Sequence, residues 1–346
     1  MRIPPTPVRV VAAPMAGGPS TPQLAAAVSN AGGLGFLAAG YLPTQEVSGQ
    51  LTAMRRLTTR PFGVNLFVPA PIEYESAEQT RLESAVAAFR EHLREDSDRL
   101  DVPLPLVNWS DTDEWTAKIE LLTQVSPVPV VSFTFGCPEP AVVAAFHRAG
   151  SAVLVTVTDR AEAEAGAACG ADGLIVQGFD AGGHRGTHDV ATVPNELDHL
   201  ALLPQMRDLG VPLIAAGGIT TAGDTHRALA AGASAVQVGT AFLRTHEAGT
   251  SAAHRMGLTD PALTSTITRA FSGRPARGLR NRFVRDHDSH APAAYPAVNQ
   301  LTKPLRAAAA RRGDLGGVSL WAGSGWRAAT EEPAAQVVRR LAGLPE

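Results

Sequence analysis

Residues 147–154 read HRAGSAVL, residues 168–175 read ACGADGLI and residues 230–238 read AAGASAVQV. Each stretch records the same event. An Ala-rich run ends, a Gly stands where a left-handed helix cap is wanted, and a short apolar strand begins at once. Working outward, Val130–Phe133 precedes the run Pro140–Ala149, Val153–Val157 precedes Arg160–Cys169, and Leu174–Val176 lies in GLIVQG. Leu213–Ala216 precedes Thr221–Ala231, and Ala235–Val238 is followed by another turn. The first half has the same rhythm. Val8–Ala13 reads as a strand, and Thr21–Pro22 is an N-cap with Pro in the first helical turn. Gly32–Gly33 closes that helix; Gly35–Leu37 is the next strand, Thr44–Thr58 a helix and Phe62–Leu66 a strand. Eight fully apolar strands alternating with helices imply a parallel sheet covered by helices, and eight units imply a closed (β/α)8 TIM barrel. An open doubly wound sheet shares the local pattern.

A barrel needs about 250 residues, and the chain has 346. The surplus falls in two places. Residues 67–128 break the rhythm with a polar helical segment (Glu78–Arg94), a Pro-containing loop and a further helix (Thr112–Gln124). Residues 245–330 carry the rest. Both read as insertions on the loop face of one domain spanning 1–346. Hydrophobic residues make up 45% and charged residues 18%, which fits a globular chain rather than a disordered one. A net charge of -3 leaves no electrostatic footprint for nucleic acid or an anionic membrane. No apolar run reaches the roughly 18 residues that span a bilayer. MRIPPTPVRVVAAP, at the N-terminus, is too Pro-rich for a secretory peptide, and two cysteines favour a reducing compartment. A cytoplasmic enzyme, monomer or homodimer, is the expectation.

In such a barrel the chemistry sits just past the C-terminal ends of the strands. Those segments are APMAGG (13–18), FGVNLF (62–67), SFTFG (132–136), QGFDAGGHRGTH (177–188), AAGGI (215–219) and QVGTAFL (237–243). Gly217–Gly218, followed by Thr and a helix, lets the backbone approach an anion, and helix N-termini offer unpaired N–H groups. The loops after strands seven and eight frequently hold phosphate in barrels; the same glycines would equally serve tight turns. Neither G-x-G-x-x-G nor G-x-x-x-x-G-K occurs, which removes a Rossmann site and a P-loop. In the sixth segment Gln177 ends a strand with an amide that both donates and accepts. Gly182 and Gly183 admit a flat ligand, and His184 follows on the loop, where it could act as a base or a donor or be only structural. Asp180, His184, His188 and Asp189 lie close in sequence, but the intervening glycines and the lack of another anchor speak against a metal. Cys137, at a strand end, reads as a small buried thiol without a His or Asp partner.

Together with AYPAVNQLTKPLRAAAARRGD (294–314) and SLWAGSGW (319–326), these strings resemble the nitronate monooxygenases, FMN-dependent barrels, in their bacterial class I branch. The resemblance runs from about residue 8 to about 340. It implies FMN held by Pro14, Met15, Ala16, Asn65, Gln177, Gly182, Gly183, Gly217, Gly218, Gln237, Val238, Gly239 and Thr240, the last four near the phosphate. It implies His184, Tyr295 and Lys303 as the catalytic residues. It implies oxidation of alkyl nitronates with O2 to a carbonyl product and nitrite, with propionate 3-nitronate as the suggested substrate; Arg185 could pair with its carboxylate or equally serve at the surface. The alternative is an FMN- and NADH-dependent enoyl-acyl carrier protein reductase. A non-redox phospho-ligand barrel and an idle FMN-binding protein are further rivals. Lys303 stands out independently, because the chain has only two lysines, the other being Lys118, beside 28 arginines. The chain departs from the family pattern at Asn299, where an aromatic is usual, and at Trp326, where a smaller aromatic is usual. Trp109 and Trp115 are expected to supply an aromatic wall.

Overall fold

A computed structural model of the chain describes residues 3–69 and 76–345. Eleven strands are present among them. They are β1 (Val10–Ala12), β2 (Gly35–Ala38), β3 (Phe62–Phe67), β4 (Val130–Thr134), β5 (Ala152–Val157), β6 (Gly173–Gln177), β7 (Gly183–His184), β8 (Leu213–Ala216), β9 (Ala235–Val238), β10 (Ser265–Thr268) and β11 (Ala276–Leu279). Eight of these form one parallel sheet in the order β1-β9-β8-β6-β5-β4-β3-β2. A parallel bridge between Val11 and Leu34 joins its two edges, with Ala12 N donating to Leu34 O at 2.9 Å and Leu34 N to Val10 O at 3.0 Å. The sheet is therefore the (β/α)8 barrel expected, not an open one.

The local signals act as read. Gly150, Gly170 and Gly232 have φ of +89°, +94° and +102°, so all three recurrent caps are left-handed. Thr21 Oγ1 accepts from Leu24 N at the start of α1 (Pro22–Asn30). Alternation along the strands then sorts the core. In β8, Ile214 and Ala216 join the cluster inside the barrel, whereas Leu213 and Ala215 pack outward under the helices. Phe36 fills the interior because Gly63 leaves room for it; a Cβ on Gly63 would lie 2.3 Å from the Phe36 ring.

The helices that follow are α2 (Thr44–Leu57), α3 (Ser76–His92), α4 (Arg94–Leu100), α5 (Trp115–Glu120), α6 (Pro140–Arg148), α7 (Arg160–Ala168), α8 (His199–Leu202), α9 (Ala222–Ala230), α10 (Ala252–Gly257), α11 (Arg282–His287), α12 (Ala297–Arg311) and α13 (Ala334–Ala342). The start of the first insertion, residues 70–75, lies outside the described residues. The rest of it holds α3, α4 and α5, and a π-helical turn at Leu121–Val125 completes the expected Thr112–Gln124 helix. Val86, Phe89, Leu93 and Leu100 from this insertion share a buried cluster with Phe271, Phe283 and Leu301 from the C-terminal segment. The two surpluses thus form one packed cap.

A second sheet, of three strands in the order β10-β11-β7, escaped the sequence reading. The C-terminal segment supplies β10 and β11, and β11 pairs antiparallel with β7, placing Ala276 opposite His184 and Arg277 opposite Gly183. Two-residue β7 has no periodicity of its own; only its partner, almost a hundred residues away, makes it a strand.

Candidate active site

A cavity of about 620 Å³ opens at the C-terminal ends of the barrel strands, and Ile175 and Ala216 from the barrel interior form part of its lining. This is within the range of cofactor and ligand sites, about 300–1,000 Å³. Pro14, Met15, Ala16, Asn65, Gln177, Gly182, Gly183, His184, Gly217, Gly218, Gln237, Val238, Gly239, Thr240 and Lys303 all line it. Tyr295 lines instead a smaller adjoining cavity of about 220 Å³, which shares Tyr41, Leu42, Phe67, Asn299 and Lys303 with the larger one.

Close approach explains the glycines here. Gly182 packs against the main chain of the C-terminal segment, so that a Cβ would sit 2.4 Å from Gly323 N. Gly217 has φ of +101°, and a Cβ on it would sit 2.8 Å from Ala181 N. Gly183, at φ +74°, would meet nothing within 4 Å. The turn between Gly217–Gly218 and α9 is held by a side chain. Asp224 Oδ2 accepts from Thr220 N and Thr221 N at 2.9 and 2.8 Å, within the capping box of α9. Thr240 Oγ1, at the end of β9, accepts from Gly323 N at 3.0 Å. Gln237 Oε1 is buried with no hydrogen-bond partner.

Gln177 spends its amide on the loop that carries His184. Its Nε2 donates to His184 O at 3.0 Å and its Oε1 accepts from Gly186 N at 2.8 Å. Asn65 Nδ2 donates to Ser132 O, Ser132 Oγ and Thr134 Oγ1. His184 Nε2 lies 2.8 Å from Ser272 Oγ, and its ring stands 5.5 Å from Phe135, 6.1 Å from Tyr295 and 5.5 Å from Trp321. Burial, and then the positive charges of Arg274 and Arg306, pull its pKa down from 6.5 to about 3. The imidazole is therefore neutral at neutral pH. His254, also on the cavity, is lowered to about 4 by burial; its Nε2 donates to Trp321 O at 2.9 Å and fixes that segment.

Several expectations need correction. The aromatic wall is Tyr41, Phe67, Phe135 and Trp321, not Trp109 or Trp115. Trp109 packs into the cap core, and Trp115 packs against the cluster that holds Phe133, 5.7 Å away. Trp326 is buried in a separate core cluster. Arg185 is fully buried, donating to Gly178 O and Gln177 O, so it holds the loop and cannot reach a substrate carboxylate. Cys137 is off both cavities, but it has a His neighbour after all: its Sγ lies 4.0 Å from His188 Nδ1. Among the described residues no cluster of His, Cys, Asp and Glu could hold a metal. Lys118, the other lysine, is buried. It pairs with Asp113 at 2.8 Å, and Asp113 Oδ1 accepts from Tyr41 N at 3.0 Å. That pair holds Tyr41 at φ +68°, a strained conformation for a bulky residue, and Tyr295 OH donates to its hydroxyl at 3.3 Å.

Ser272, Tyr41, Arg274 and Arg306 were missed. Arg306 carried a signal, because it repeats the helical spacing of Asn299 and Lys303. Ser272 carried none. Among the described residues no helix is long and apolar enough to cross a membrane.

The profile of the nitronate monooxygenase family matches residues 6–343. A probable nitronate monooxygenase of Staphylococcus aureus strain Newman is 35% identical over 342 residues, covering 96% of this chain and 92% of the relative. The structure of a nitroalkane oxidase from Streptomyces ansochromogenes superposes with a TM-score of 0.90 at 47% identity, covering 98% of this chain and 95% of that one. FabK from Thermotoga maritima, at 24% identity and a TM-score of 0.73 over 97% of this chain and 92% of that one, shares the fold. The chain belongs to the nitronate monooxygenase family, oxidoreductases that are generally flavin-dependent.

Proposed function

We propose that the chain is one FMN-binding domain that oxidises alkyl nitronates, propionate 3-nitronate among them, with O2 to a carbonyl product and nitrite. The observation that carries this reading is the single cavity that joins a glycine-built cradle to a neutral, Ser-held histidine. The residues present suit a flavin mononucleotide. Gln237 Oε1 awaits a donor, and Gly183, Gly218 and Gly239 keep side chains away from a flat ring system and its phosphate-bearing tail. Gly239 and Thr240 would receive the phosphate, and Thr220 N and Thr221 N, already bonded to Asp224, would contribute less. Bound there, FMN supplies the electron transfer between an electron-rich nitronate and oxygen.

The chain's own residues do the rest. His184, neutral at working pH, can take the α-proton of a neutral nitroalkane as the negative charge gathering on the nitronate beside it offsets Arg274 and Arg306 and raises its basicity. This requires Nε2–H to donate to Ser272 Oγ, leaving the lone pair on Nδ1. The positive charges of Arg274 and Arg306 then favour the anionic nitronate over the neutral acid. Phe135, Tyr295 and Trp321 exclude water around the imidazole. The test is oxygen uptake by the FMN-loaded protein on adding propionate 3-nitronate without NADH. Rapid uptake with nitrite release is expected. A yellow protein that takes up no oxygen, but whose flavin NADH reduces, would overturn the proposal in favour of the enoyl thioester reductase.

A further inference from the structure

One face of α12 forms a wall of the cavity. Asn299, Lys303 and Arg306 stand at i, i+4 and i+7, and Ala307 and Ala310 continue the stripe. The alanines keep the helix surface low, so the two cations are its most prominent polar groups. Arg306 is held rather than free. One Nη donates to Asn299 Oδ1 at 2.6 Å and to Asn299 O at 3.3 Å. Its Nε is buried with no hydrogen-bond partner. Among the described residues no carboxylate lies within 4 Å of Lys303 or Arg306, although Arg99, Arg160, Arg227 and Arg282 all have such partners. A guanidinium drawn partly out of water without a counter-ion is costly to keep. A bound anion would complete it. The Asn299 amide oxygen accepts a hydrogen bond from the Arg306 guanidinium that an apolar side chain there could not accept.

We propose that Arg306, positioned by Asn299 and assisted by Lys303, reads a second negative group on the substrate. The site then prefers nitronates that carry a carboxylate on a short chain over nitronates with a plain alkyl tail. This rests on the nitronate reading above, in which the first negative charge lies at His184. It also replaces Arg185, which is fully buried off both cavities and donates to main-chain oxygens, as the carboxylate partner.

The experiment compares propionate 3-nitronate with propyl-1-nitronate on the FMN-loaded wild type, Arg306→Met, Arg306→Lys and Asn299→Leu. In the wild type the ratio of kcat/KM values should favour the carboxylate at least about tenfold, the worth of one charge-assisted hydrogen bond. Arg306→Met should cut that ratio by about the same factor, mostly through KM, with flavin still bound. Arg306→Lys should restore part of it, and Asn299→Leu should lower it severalfold, again in KM. Three results would overturn the proposal: a wild-type ratio near one, a ratio in Arg306→Met within twofold of wild type, or loss of flavin from Arg306→Met, which would make Arg306 a cofactor anchor. If Arg306→Met fails to fold, calorimetry on the wild-type holoenzyme decides. There, 3-nitropropionate should bind at least tenfold tighter than 1-nitropropane, and equal binding refutes the inference. Oxidation of neither nitronate would instead bring down the function reading itself.

Discussion

The wall of the cavity beyond the ends of β6 and β8 is made mostly of main chain, whereas the wall at α12 and Trp321 is made of side chains. The first is set by glycines whose Cβ positions are taken by neighbouring backbone, as at Gly182 and Gly217. The second is set by long polar and aromatic groups that stand on a helix and a loop of the C-terminal segment. A main-chain wall has little room for substitution, because any added atom must move two segments at once. A side-chain wall can change its chemistry without moving the barrel. This division suits a site whose cofactor half is fixed and whose substrate half varies.

The largest expected effect comes from breaking the first wall. Gly182→Ala puts a methyl 2.4 Å from Gly323 N and 2.6 Å from Ala322 C, backbone that cannot turn aside. The purified variant should carry less than about a tenth of the wild-type flavin, measured as flavin absorbance relative to protein absorbance. Full flavin content would mean that the main-chain wall yields as easily as the other.

His184 stands where the walls meet, and two measurements sharpen its role. His184→Asn should lose about 10²–10⁴-fold on a neutral nitroalkane, the usual worth of general base catalysis, and clearly less on the matching nitronate. Equal losses would leave it an anchor only. The second measurement is stability against pH. The folded pKa of about 3 lies below the unfolded 6.5, so the unfolded chain binds the extra proton first. Stability from this group is complete above pH 6.5 and declines as pH falls toward 3. His184→Asn removes that contribution. Its melting temperature should therefore drop less between pH 7 and pH 5 than that of the wild type; an equal drop would argue for an unshifted histidine.

The same division explains what could be read from the chain alone. The barrel was readable because strand, helix and cap signals are local, as Gly150, Gly170 and Gly232 show with their positive φ. The glycine wall was readable for the same reason: it occupies strand ends whose place in the fold is fixed. The side-chain wall was only half visible. Lys303 was found through its rarity and through resemblance, whereas Trp109 and Trp115 were placed on the cavity and belong to other cores. Ser272 could not be found, because its role depends on β11 pairing with β7 and swinging the preceding loop toward His184. Long-range pairing of a two-residue strand leaves no periodic trace.

Ser272→Ala tests that link at smaller scale. It removes one hydrogen bond to a neutral ring, worth about 1 kcal/mol. We expect a fall of roughly three- to tenfold in turnover on a neutral nitroalkane, with flavin content retained. No change would mean that β7–β11 pairing alone orients the imidazole.

The smallest catalytic effect should come from Trp109→Ala, which asks whether the side-chain wall extends into the cap behind it. Trp109 packs against the cluster of Phe89, Leu93, Phe283 and Leu301, on a loop that Gln300 of α12 grips through Asn108 N and O. Truncating a partly buried aromatic costs up to about 3–5 kcal/mol where burial is complete, and less here. The melting temperature should fall by a few degrees. Asn299, Lys303 and Arg306 remain tied to the barrel through the other contacts of α12, such as Thr302 donating to Phe271 O. Values of kcat/KM for both nitronates should therefore stay within about twofold of wild type. A change beyond about fivefold with flavin intact would show that the cap core sets the α12 side chains. The side-chain wall would then be as dependent on distant packing as the glycine wall is on its neighbouring backbone.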